Sequence, residues 1–128
     1  MICYCGSEKQ FQQCCNPFIS GHKKPNTAEE LMRSRYTAFC INNLTYIENT
    51  MSGPALTQFL SNPNHNTSIK WQKLNIHETN DGQNSDTFGT VRFKAYYRLN
   101  NDNYCHHEIS EFIKVNNQWL YNDGKILA

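Results

Sequence analysis

The chain has 128 residues and a net charge of +1, its twelve basic residues scattered among eleven acidic ones. That length suits one domain plus a small appendage, able to bury roughly two-thirds of the surface its unfolded form exposes. Such an even charge balance lacks the footprint that nucleic acid asks of a primary partner, and no apolar stretch reaches the roughly twenty residues that cross a bilayer as a helix.

Four of the six cysteines, Cys3, Cys5, Cys14 and Cys15, stand in the first fifteen residues. Four thiolates in one short loop can close a tetrahedral shell around one zinc ion, and a closed shell leaves no position for substrate, so the expected metal is structural. Gly6 allows a sharp turn between the two ligand pairs, and Phe11 gives the knuckle an apolar side chain to pack. Three-cysteine ligation and a redox pair are the other readings of the cluster. The N-terminus has neither a basic n-region nor an apolar h-region, so reduced thiols and a cytoplasmic location are expected. Lys9, His22, Lys23 and Lys24 either offset the charge of a tetrathiolate zinc or form a docking surface for an acidic partner.

Residues 16–26 contain two prolines and a glycine and read as a connector. Thr27 then caps a helix running from 28 to about 40, with Glu30 reaching back, and Asn42-Asn43 ends it. Residues 44–51 and 55–60 form two shorter helices on either side of Ser52-Gly53-Pro54. From Ser68 the period changes to that of strands, expected at 69–77, 89–99, 104–115 and 118–121, with Val91, Phe93, Ala95 and Tyr97 on one face. Asn80-Asp81-Gly82, Asn100 to Asn103 and Asn116-Asn117 punctuate them, because asparagine tolerates the left-handed backbone of tight antiparallel turns. Helices followed by an antiparallel sheet make an α+β arrangement.

The run from Cys3 through Cys5-Gly6-Ser7 and Phe11 to Cys14-Cys15 resembles the SEC-C zinc module, departing from its pattern at Tyr4, where proline is usual, and at Glu8, where glycine is usual. Thr27 to Tyr36, Trp71, His107 to Phe112 and Trp119 to Gly124 resemble the YchJ-like family of small bacterial proteins. The resemblance implies a zinc knuckle over residues 1–26 and a nuclear-transport-factor-2-like cone over 27–128, in which a curved sheet wraps the long first helix and leaves a hollow at its wide end. That family has no settled biochemical activity. Some members repeat the cysteine motif at the far end; no cysteine follows Cys105 here, so one zinc is expected.

Outside the knuckle, Arg35 is the informative residue. Helical spacing puts it near the middle of the apolar stripe made by Ala28, Leu31, Met32 and Phe39, whereas Arg33 falls toward the solvent flank. A buried guanidinium needs anions, so Arg35 either meets a carboxylate, from Glu108, Glu111 or Asp123, or snorkels to water. Alternation leaves both faces of the strand at 104–115 open, and the family resemblance favours Glu108, Ser110 and Phe112 inside. Any such pair is either purely structural or lines a ligand pocket, for which the candidates are Arg35, Tyr36, Trp71, Glu108, Ser110, Phe112, Trp119 and Asp123. Trp71, Tyr97, Trp119 and Tyr121 serve either that pocket or the core.

His106, His107 and Glu108 do not converge on one ion, since neighbouring strand residues point to opposite faces. No catalytic residue is assigned, although a general acid or base at His107 or Glu108 is conceivable in a hollow. Cys40 and Cys105 are expected to pack as small apolar groups. The leading functional expectation is a zinc-binding module or adaptor that docks a protein partner; the alternative is a small-ligand binder or enzyme using the hollow, and a third reading makes the thiols a redox or metal-transfer switch.

Overall fold

The computed structural model describes residues 1–62, 65 and 68–128. A short 3-10 turn at Phe11–Gln13 leads into helix α1 (Asn16–Ile19), followed by α2 (Ala28–Cys40), α3 (Leu44–Asn49) and α4 (Gly53–Ser61). The strands are β1 (Lys70–Asp81), β2 (Phe88–Leu99), β3 (Asp102–Val115) and β4 (Gln118–Ile126). Among the described residues they form one antiparallel meander in the order β1-β2-β3-β4. This is the expected α+β cone, with α2 in its concave face.

Local chemistry explains most boundaries. Thr27 Oγ1 accepts the Glu30 amide at 3.1 Å, while the Glu30 carboxylate reaches back one residue further than a standard capping box, to the Asn26 amide at 2.8 Å. Asn42 ends α2 with φ 59°, and the two hairpins at Asn100-Asn101 and Asn116-Asn117 are built from pairs of positive φ (53° and 70°; 51° and 66°). Both fit two-residue turns whose backbone twist matches the flanking strands.

Three expectations are corrected. The connector at 16–26 begins as a helical turn, because Pro17 in the first turn suits a helix start that follows directly on Cys15. Strand β1 runs four residues past His77 and β4 five past Tyr121, since cross-strand hydrogen bonding carries these polar stretches where alternation is lost. Arg33 is half-buried rather than on an open flank, because the knuckle lies against it.

The core comprises Leu31, Met32 and Tyr36 of α2 against Leu74, Val91, Phe93, Ala95, Phe112 and Trp119 of the sheet. Phe112 and Trp119 are fully buried there. Register shifts in β1, at Trp71/Lys73 and Ile76/Glu78, and between β3 and β4 at Glu111/Phe112, curve the sheet around the helix. The segment after α3 is clipped to β4 by Tyr121 N to Thr50 O (2.8 Å) and Ser52 N to Tyr121 O (2.9 Å).

Candidate functional site

Two sites emerge, one on each side of α2. In the knuckle, Cys3 N donates to Lys9 O (2.8 Å) and Phe11 N to Met1 O (2.9 Å), a miniature hairpin that brings Cys3 and Cys5 beside Cys14 and Cys15. Gly6 (φ 82°) makes the turn between the pairs, and Glu8 also adopts a left-handed backbone (φ 68°). That backbone is the physical reason glycine is usual at the Glu8 position of the motif. Phe11 packs edge-on against Tyr4, with ring centroids 6.1 Å apart.

The four sulfur atoms lie within 4.8 Å of one another, Cys5 to Cys14 at 3.6 Å and Cys14 to Cys15 at 3.9 Å. Metal–sulfur bonds of about 2.3 Å in a tetrahedron put sulfurs about 3.8 Å apart, so the donor set fits one divalent ion such as zinc. Cys3, Cys5 and Cys15 are buried and Cys14 is half-buried. Hydrogen bonding from Cys15 pulls the Cys5 thiol down to about 4, while the same contact, together with burial, pushes Cys15 up. Cys14 and Cys15 thus resist ionising beside a Cys5 thiolate, and a cation among the sulfurs would offset that cost.

α2 supplies an outer layer to this cluster. Arg33 Nη1 donates to Cys5 O at 2.6 Å and its Nε to Glu29 at 3.0 Å. One turn on, Thr37 Oγ1 lies 3.7 Å from Cys3 Sγ, placed to donate to a thiolate. The sequence reading missed Thr37; its signal was the four-residue spacing from Arg33.

The second site is the hollow of the cone, about 350 Å³. Of the candidate pocket residues, Arg35, Tyr36, Trp71, Glu108 and Ser110 line it. Phe112 and Trp119 do not, being spent on the core, and Trp119 Nε1 is tied to Asn26 O at 3.0 Å. Asp123 is also outside, its carboxylate accepting the Gly124 amide at 2.8 Å. His106 is a polar liner that sequence reading left out of the pocket, and Tyr121, weighed for pocket or core, lines it too. For His106 the signal was its two-residue spacing from Glu108.

Arg35 is buried as expected, but no carboxylate pairs with it among the described residues. Its Nη1 donates to Ile47 O (2.8 Å) and Thr50 Oγ1 (2.7 Å), and its guanidinium sits over the Tyr121 ring at 4.7 Å. Tyr121 occupies the place between the two charges, its hydroxyl donating to Glu108 at 2.7 Å. Burial draws Arg35 down to about 10, which leaves it charged at neutral pH.

Glu108 also accepts from Ser110 (2.5 Å) and pairs with His106 Nε2 (2.8 Å). Burial alone would raise its carboxyl, but the hydrogen bonds from His106, Ser110 and Tyr121 outweigh it and hold the group below the usual range. A Cβ at Gly124 would overlap Tyr121 Oη and the Glu108 carboxylate, so the last glycine of the Trp119–Gly124 motif makes room for this network. His107 points to the other face, near Arg92, and Cys105 is exposed rather than packed because it shares that outer face. Cys40 does pack, and burial pushes its thiol up to about 11.

A family model described as the YchJ middle, NTF2-like domain matches residues 27–124. A UPF0225 protein of Geobacter sulfurreducens is 39% identical over 96% of this chain and 78% of its own length. Another, from Streptomyces coelicolor, is 36% identical over 98% and 95% of the two chains. Among solved structures, the solution structure of a SEC-C motif containing protein from Rhodopseudomonas palustris superimposes with a TM-score of 0.83 at 26% identity, covering 100% of both chains. The crystal structure of a SEC-C motif containing protein from Psychrobacter arcticus gives 0.74 at 25% identity, covering 100% of this chain and 84% of that one.

Proposed function

The chain belongs to the YchJ-like, UPF0225 family, and from that membership we propose that it is a zinc-knuckle protein whose cone receives a small organic ligand. The hollow carries this reading. Its walls are aromatic and aliphatic, with Trp71 packed on Tyr97 at 4.9 Å, yet buried Arg35 and Glu108 both face it. Core packing alone gives no reason to keep two ionised groups on an open cavity, since replacing such groups by apolar ones is often neutral or stabilising.

Zinc is the occupant we assign to the four cysteines, on the strength of an all-sulfur shell with tetrahedral spacing. Its role is to hold the knuckle against α2. Unoxidised thiol ligands suit a reducing, cytoplasmic setting. A second reading, docking of a protein partner, draws support from Met1, Ile2 and Tyr4, apolar side chains left exposed on the knuckle.

The two tryptophans separate the hollow from the core: Trp71 lines the hollow and Trp119 does not. A fragment library titrated into labelled protein is expected to move the Trp71 indole resonance and leave that of Trp119 in place. If no fragment moves Trp71, or native mass spectrometry finds only the metal on protein that captures a partner through Tyr4, the docking reading replaces this one.

A further inference from the structure

The two buried charges of the hollow are not balanced alike. The Glu108 carboxylate is met by three donors, at 2.5, 2.7 and 2.8 Å. Arg35 has only neutral acceptors, a carbonyl and a hydroxyl, and both fall on Nη1. Its Nε and Nη2 make no hydrogen bond to any described residue. Tyr36 Oη is the one fully buried side-chain polar atom without a partner among the described residues, so these two nitrogens open on reachable space, and Arg35 lines the hollow.

A guanidinium offers its donors in a planar fork that matches a carboxylate, and in an apolar cavity the unfilled part of that fork favours an anion over water. The lining beside it is built for rings: Trp71 contacts Tyr36, Phe39 and Tyr97 at centroid distances of 6.1, 6.1 and 4.9 Å. Glu108, held off by the intervening Tyr121, disfavours a second negative charge on the ligand. We propose that the hollow takes an aromatic or alicyclic monocarboxylate, its acid group against the free edge of Arg35 and its ring beside Trp71 and Tyr97. This rests on the small-ligand reading above and adds the charge and shape of the ligand to it.

Ligand charge can be varied without touching the protein, which avoids variants of a buried arginine that fail to fold. Calorimetry on the full, metal-loaded chain would compare naphthalene-carboxylate with naphthalene-carboxamide, an uncharged molecule of nearly the same shape, while the two indole resonances report where each binds. The acid should bind roughly tenfold more tightly, the value of one charge-assisted hydrogen bond over a neutral one, and should shift Trp71 but not Trp119. Equal affinity of acid and amide at Trp71 overturns the acid class and leaves the small-ligand reading standing. Silence of both probes at Trp71, with no fragment binding there either, overturns both.

Discussion

Glu108 accepts three hydrogen bonds in a site only 7% exposed, and the consequence is a stability that depends on acid. Its folded carboxyl titrates below the unfolded value of about 4.3, so the stabilisation is present above that pH and is lost as pH falls through the lower, folded value. Glu108→Gln removes an acceptor from donors that cannot all turn away, and should cost about 2 kcal/mol at pH 7. Chemical denaturation across pH 3 to 7 checks it: the variant should show a shallower loss toward acid than the parent, and parallel curves would refute the assignment. Glu8 is a second residue with a local cost. Its left-handed backbone (φ 68°) is a conformation glycine adopts freely, so Glu8→Gly should stabilise the knuckle by up to about 1 kcal/mol, seen as slower metal loss to a chelator.

Among the elements, α2 carries two sites on two faces. Leu31, Met32, Arg35 and Tyr36 look into the cone, while Arg33 and Thr37, four residues apart, look at the knuckle. Thr37→Val keeps the shape and deletes only the hydroxyl beside Cys3, so the fold should persist while metal dissociates roughly tenfold faster. Arg33→Ala should do the same and also cost on the order of 1 kcal/mol, because it leaves Cys5 O without its donor. A chelator competition assay with a colorimetric indicator decides both. Much of α2 was legible in the sequence, since the Thr27 cap, the Asn42 stop and the burial of Arg35 follow from spacing along one element. What Arg35 touches was not, because its acceptors are a backbone carbonyl and a hydroxyl on α3 and its C-cap, and a neutral carbonyl leaves no mark in a sequence. The asparagine hairpins were legible for the opposite reason: two adjacent residues with positive φ are a wholly local demand. The place of Tyr121 between Glu108 and Arg35 was not legible, because the irregularity at Glu111/Phe112 sets its position relative to Glu108, and alternation does not register such a shift.

At the scale of the molecule, the described residues form two hydrophobic clusters. One joins Cys3, Cys5 and Cys15 with Phe11 and Ile19, and the other joins α2 to the sheet. They meet through polar contacts, Arg33 to Cys5 O and Thr37 to Cys3, and through the close approach of Gly6 to Leu74 O on the edge strand β1. We therefore expect the cone to keep its own core when the knuckle is lost, which would make the division proposed at about residue 26 one of stability as well as of sequence. On the proposed zinc reading, the knuckle, with little apolar surface of its own, would depend on the metal. Chelation should abolish the ordered resonances of residues 1 to 15 while those of β2 and β3 remain, with the melting temperature of the cone lowered because bare α2 and β1 surfaces replace packed ones. The outcome that would sink this is a single cooperative collapse of the sheet on adding chelator. It would mean that the contacts across α2 carry more of the fold than their polar character suggests, and that hollow and knuckle are one unit whose ligand affinity follows its metal content.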